Sequence, residues 1–155
     1  MRYFVWFGYD GTRYHGWQYQ PNGITVQEEL ERALSLLLRE DIHVTGAGRT
    51  DTGVHARQMA AHFDTEVVFD CVHMVKRLNG VLPYDIGVSK VEAVAADKHA
   101  RFSATARTYH YYIHYGKNPF CQQFSLQMHY QLDFGLMNQA GAILMEYDDF
   151  GSFCK

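Results

Sequence analysis

The chain is poor in residues that staple or ligate. Its three cysteines, Cys71, Cys121 and Cys154, are an odd set without CxxC spacing, so neither a disulfide framework nor a cysteine zinc site is expected. They are expected to be reduced and structural. The nine histidines are scattered and include no HExxH, so no metal or other cofactor is expected. No run approaches the roughly 18 apolar residues of a membrane span, and "MRYFVWFGYD" lacks the small-residue end of a cleavable signal. The expectation is a cytoplasmic protein with no membrane partner. Positive charge is also in short supply: 14 Lys and Arg against 17 Asp and Glu give a formal charge of -3. That argues against nonspecific coating of nucleic acid, while leaving room for a local basic patch.

Apolar and aromatic residues are plentiful. With 47% hydrophobic and 20% charged residues over 155 positions, the composition suits a globular protein large enough to bury a core. Eleven tyrosines supply amphipathic rings, most of them expected in the core or in half-buried strands.

"RYFVWFGY" at residues 2–9 reads as a strand running into the turn "DGT". From Thr25, "TVQEELERALSLLLRE" reads as a helix. Thr25 and Glu28 form a capping box, and Val26, Leu30, Ala33, Leu34, Leu37 and Leu38 share one face. "IHVTGA" and "MAAHFDT" read as strands on either side of a glycine loop. A second helix after Asp70 turns Cys71, Met74, Val75 and Leu78 inward and stops at "NGVLP". "IGVSKVEAVA" and "RTYHYYIHY" read as strands, and a third helix begins at Asp133. The order β, α, β, β, α, β predicts a ferredoxin-like α+β unit, an antiparallel sheet with helices on one face. It is expected to span residues 1–104, with 105–155 opening a second domain that is cut short after "EYDDFGSFCK".

The loop "GAGRTDTGVHA", residues 46–56, sets Arg49 and Asp51 among Gly46, Gly48 and Gly53. Glycines there permit positive φ or close approach, leaving two charged side chains on a stiff turn. Two readings stay open on these residues. Arg49 and Asp51 can form a local ion pair that pins the loop. Alternatively, the guanidinium keeps the carboxylate ionised for nucleophilic or base chemistry. Asp10, in a D-G turn, is expected to make an Asx-turn rather than act as a second catalytic carboxylate.

"YDGTRYHGWQYQ", "TVQEELERAL", "GRTDTGVHA" and "HARFSATARTYHYYI", in that order, resemble the TruA family of tRNA pseudouridine synthases along essentially the whole chain. The resemblance implies the pseudouridine synthase fold, with its RRM-like sheet, and isomerisation of uridine to pseudouridine in tRNA without a cofactor. Asp51 would then be the catalytic nucleophile. Arg49 would follow the RNA backbone or fill the space left by a flipped uridine, and Tyr109 would stack on the target base. Alternation along the expected strand puts Arg107, Tyr109 and Tyr111 on one face. Arg13, Arg57, Arg101 and Arg107 are candidate phosphate contacts, while His55 and Gln18 are assigned to loop scaffolding. The resemblance further implies the anticodon stem-loop, around positions 38 to 40, as substrate, and a homodimer. Family members are longer, and their second half supplies a basic partner for the aspartate. Two competing readings are an RNA-binding module without chemistry and a glycoside hydrolase using Asp51 with Asp10.

Overall fold

A computed structural model of the chain describes residues 1–153, so Cys154 lies outside the described residues. Two compact units divide it, Met1–Arg107 and Thr108 onward. In the first, β1 (Arg2–Tyr9) alternates strictly, with Tyr3, Val5, Phe7 and Tyr9 buried on one face. That period of two is what a strand covered on one side requires.

Helix α1 (Val26–Leu38) starts where Thr25 accepts a hydrogen bond from the Glu28 N–H at 3.3 Å. Val26, Leu30, Ala33, Leu34 and Leu38 are buried along it, with Leu37 partly so. Each fully buried Leu contributes about 1.5–3 kcal/mol of transfer free energy. The helix closes on Arg39, a non-glycine residue in the left-handed region at φ 61°.

The strand expected over residues 42–47 is shorter, β2 comprising Thr45–Gly46. The backbone before it is committed elsewhere: the Ile42 N–H donates to Ser35 Oγ and the Val44 N–H to Glu31 Oε1, both at 2.9 Å. Side chains of α1 have taken the donors a longer strand would use. β3 (Ala56–Asp64) follows, then α2 (Cys71–Val81), capped by Asp70 accepting from the His73 N–H at 2.6 Å. Met74 and Leu78 are buried, while Cys71 and Val75 pack half-buried against the core. α2 runs through Asn79 and Gly80, where the sequence suggested a stop, and ends ahead of Pro83. Asn79 uses its amide to accept from the Val88 N–H and donate to the Val88 carbonyl, each at 2.8 Å. That clamp fixes α2 against β4 (Ile86–Val94).

The sheet order is β2-β3-β1-β4, antiparallel throughout. Side chains of α1 and α2 share a single core with the buried face of β1. This is the ferredoxin-like α+β arrangement that the element order predicts.

The second unit holds a parallel pair, β5 (Ile113–Tyr115) with β6 (Leu126–Met128), and α3 (Phe134–Leu144). Asp133 caps α3, accepting from the Leu136 N–H at 2.9 Å. The strand expected from Arg107 begins only at Ile113, which corrects the alternation argument for Arg107, Tyr109 and Tyr111. Strand propensity acts through neighbours, and the pairing with β6 starts only where the Tyr112 carbonyl accepts from the Leu126 N–H at 2.9 Å. Among the described residues no helix is long and apolar enough to cross a membrane.

Candidate active site

The glycine-rich loop joins β2 to β3, which pair antiparallel with Thr45 opposite His62 and Gly46 opposite Ala61. The Ala47 N–H extends the ladder by one bond, donating to the Ala60 carbonyl at 2.8 Å. Asp51 opens a β-turn in which the Val54 N–H donates to the Asp51 carbonyl at 3.2 Å, with Gly53 at φ 77° in the third position. That position of a type II turn takes glycine because an L side chain strains there. Gly46 answers a different need: a Cβ on it would sit 2.5 Å from the buried Trp17 ring. Gly48 lies under the Arg107 side chain, whose Nε is 3.3 Å from where its Cβ would be.

The segment after β1 braces this loop from outside. The Trp17 N–H donates to the Thr50 carbonyl at 3.1 Å, the Gly53 N–H donates to the Tyr14 carbonyl at 3.4 Å, and the Tyr9 hydroxyl bonds Thr50 Oγ1 at 2.8 Å. Gly11 and Gly16 make the contact possible, since a Cβ on either would collide with the carbonyls of Val54 and Thr50 respectively. His55 ties the two motifs together, its Nδ1 lying 3.1 Å from the Gly11 nitrogen and 2.9 Å from Asp10 Oδ1. With Nδ1 bare the ring accepts from Gly11, and with a hydrogen on Nδ1 it donates to Asp10; one nitrogen cannot do both. Asp10 also accepts from the Thr12 N–H and hydroxyl, the Asx-turn expected of it. Partial burial opposes its ionisation, but those hydrogen bonds and the nearby His55 prevail, so its carboxyl titrates below the ordinary aspartate value.

Arg49 and Asp51 are both exposed and form no ion pair with each other among the described residues. The loop is therefore held by its backbone and its neighbours, and Asp51 presents an uncommitted carboxylate. Arg107 folds back on the same loop: Nε and Nη2 donate to the Ala47 carbonyl at 3.0 and 2.6 Å, and Nη2 donates to the Arg101 carbonyl at 2.8 Å. Tyr109 belongs to the second unit and is 74% exposed.

The other candidates separate. Arg13 stands 3.3 Å from Asp85 and over the Tyr84 ring, and Arg101 lies over Phe102. Gln18 is exposed and makes no hydrogen bond among the described residues; the bracing amide is that of Gln27, which accepts from the Tyr19 N–H and donates to Glu31 and the Val44 carbonyl. Sequence reasoning passed over Tyr14, Trp17 and Asp85. Their signal was faint, consisting of aromatic residues with glycine neighbours in "RYHGW". Among the described residues, no three His, Cys, Asp or Glu side chains gather into a ligand set.

Fold and site together define a ferredoxin-like α+β protein that offers a carboxylate on a braced hairpin loop. The profile of the tRNA pseudouridine synthase family matches residues 6–103, and the chain belongs to that family. It is 55% identical over its whole length to a protein of Bacteroides thetaiotaomicron named tRNA pseudouridine synthase A, covering 58% of that relative. A Bacteroides fragilis protein of the same name is also 55% identical, with 62% of it covered, and one from Listeria innocua is 41% identical, with 63% covered. The chain thus spans about 60% of the length of these curated relatives.

Proposed function

We propose that this chain carries the reacting loop of a tRNA pseudouridine synthase, with Asp51 as the nucleophile. The carboxylate adds to the target uridine, at the ribose C1′ or the base C6, and the bond from N1 to C1′ breaks. The uracil turns and rejoins through C5. C5 then gives up its proton, N1 gains one and Asp51 is released, so the atoms balance without oxidant, metal or other cofactor. The observation that carries this reading is the exposed, uncommitted Asp51 on a loop braced by the segment after β1. A nucleophile held in advance avoids the entropy of positioning it at the moment of reaction.

Arg49, two residues away, is assigned to the RNA backbone or the space left by the flipped base. Arg107 spends Nε and Nη2 on Ala47 and Arg101, and its Nη1 hydrogens are assigned to a phosphate. Tyr109, exposed, is assigned to stacking on the target base. The substrate is the anticodon stem-loop of tRNA, around positions 38 to 40. The working form is a homodimer in the cytoplasm, and residues 105–155 belong to a second domain.

Tritium release from tRNA labelled at uridine C5 tests this with the full-length protein. Asp51→Asn is expected to lower release by about 10⁴-fold or more. Unchanged release in that variant removes Asp51 from the chemistry. A second reading, RNA binding without catalysis, draws on an aromatic row on the sheet face opposite the helices. Phe4 lies 6.3 Å from Trp6 and 6.1 Å from His62 between ring centres, and His99 lies 4.5 Å from His62 and 4.4 Å from Phe102. That reading expects tRNA binding with no release from either protein.

A further inference from the structure

The brace on the Asp51 loop has a foundation of its own. Asp85, at the entrance to β4, is 8% exposed, and it grips the segment after β1 at three atoms. Its carbonyl accepts from the Asp10 N–H at 2.9 Å, its Oδ1 accepts from the Tyr14 hydroxyl at 2.6 Å, and its Oδ2, without a hydrogen bond, faces Arg13 Nη1 at 3.3 Å. Tyr14 is 2% exposed and reaches both ways. Its hydroxyl ends on Asp85, and its carbonyl receives the Gly53 N–H inside the Asp51 turn. Three residues on, Trp17 holds Thr50, the residue before Asp51.

An apolar residue of similar volume at position 85 would occupy the same space without the desolvation penalty of a buried carboxylate. It would lose the grip on the Tyr14 hydroxyl and on Arg13. A charge-assisted hydrogen bond in a buried setting fixes direction as well as distance.

We propose that Asp85 is a positioning residue for the reaction, setting the Asp51 turn through Tyr14. The proposal rests on the reading of Asp51 given above. Misplacing a reacting group by about 1 Å costs as much as 100-fold in rate. Loosening this strut should therefore slow the chemical step and spare tRNA affinity.

The test uses the full-length protein in single-turnover tritium release, with tRNA Kd and the folded fraction measured in parallel. Tyr14→Phe, which removes one hydroxyl, and Asp85→Ala are each expected to slow the step about 10- to 100-fold. In Tyr14→Phe, Kd should change by less than about threefold, since the buried hydroxyl does not meet the RNA and Arg13 keeps its partner Asp85. Asp85→Asn, which keeps an oxygen to accept from Tyr14, should recover most of the rate. Amide exchange over residues 50–55 should quicken in Tyr14→Phe and Asp85→Ala.

Unchanged rates per folded molecule in Tyr14→Phe overturn the proposal. So does a rate loss that follows loss of folding or of tRNA affinity, because the strut would then be merely structural. If Asp85→Ala does not fold, Tyr14→Phe decides alone. The reading of Asp51 fails separately, when Asp51→Asn retains release or the wild type shows none, and the proposal falls with it.

Discussion

Helices α1 and α3 illustrate how differently the two compact units use apolar residues. α1 carries Glu28, Glu29, Glu31 and Arg32, yet buries five side chains in the core of the first unit. α3, "FGLMNQAGAIL", has no charged residue and buries none. Among the described residues, every buried hydrophobic side chain lies between Tyr3 and Ala100. Apolar content alone does not make a core. In α1 it forms one stripe buried in the core, whereas in α3 Leu136, Met137, Ala140, Ile143 and Leu144 share a face on which no side chain is buried. Leu136, Met137 and Ile143 are all more than half exposed, so the second unit does not cover that face by itself.

Matched truncations give the sharpest contrast. Leu30→Ala should lower unfolding free energy by about 2–5 kcal/mol through lost burial and a residual cavity. Leu136→Ala, in α3, should stay within about 0.5 kcal/mol. Urea titrations followed by tryptophan fluorescence measure both, and equal losses would show that α3 is covered in solution.

A smaller effect is expected where the first unit is braced rather than packed. Gly16 has φ 86°, and a Cβ there would meet the Thr50 carbonyl. Gly16→Ala should cost about 1–3 kcal/mol in backbone strain. Hydrogen exchange should quicken over residues 50–55 and stay unchanged over 113–128. Uniform quickening would dissolve the distinction between the units.

The smallest expected effect is a pH dependence confined to the first unit. His62 is buried, with its Nδ1 accepting from the Ala100 N–H at 3.2 Å. Burial, then Arg2, then His99 push its pKa below the usual 6.5, against an opposing pull from Asp64. The unfolded chain therefore takes up a proton first as pH falls. This contribution is complete above 6.5 and is lost as pH drops below 6.5 toward the folded value. Replacing His62→Gln should flatten the dependence of the urea midpoint on pH over that window, and a slope as steep as wild type would assign it to other groups.

Much of the first unit was legible because its signals are local. Thr25 caps α1 and Asp70 caps α2 through bonds to a backbone N–H three residues on, as Asp133 does for α3 in the second unit. Alternation in "RYFVWFGY" gives β1 its two faces. The short β2 was not legible, because whether Ile42 and Val44 donate to a strand or to Ser35 and Glu31 depends on where α1 lies. The strand expected from Arg107 was misread for a related cause. Thr, Tyr and Ile favour extended backbone, but a ladder needs a neighbour, and β6 meets that segment only from the Tyr112 carbonyl onward.

The amino-acid sequence alone determined the element order, the helix caps and a glycine loop able to carry Arg49 and Asp51, since each depends on residues a few positions apart. Only the tertiary structure decided that Arg49 and Asp51 do not pair, that Arg107 closes over Ala47, and that Asp85 anchors Tyr14 across 71 positions. Those outcomes are competitions among distant donors and acceptors, settled by which groups the sheet brings within hydrogen-bonding reach.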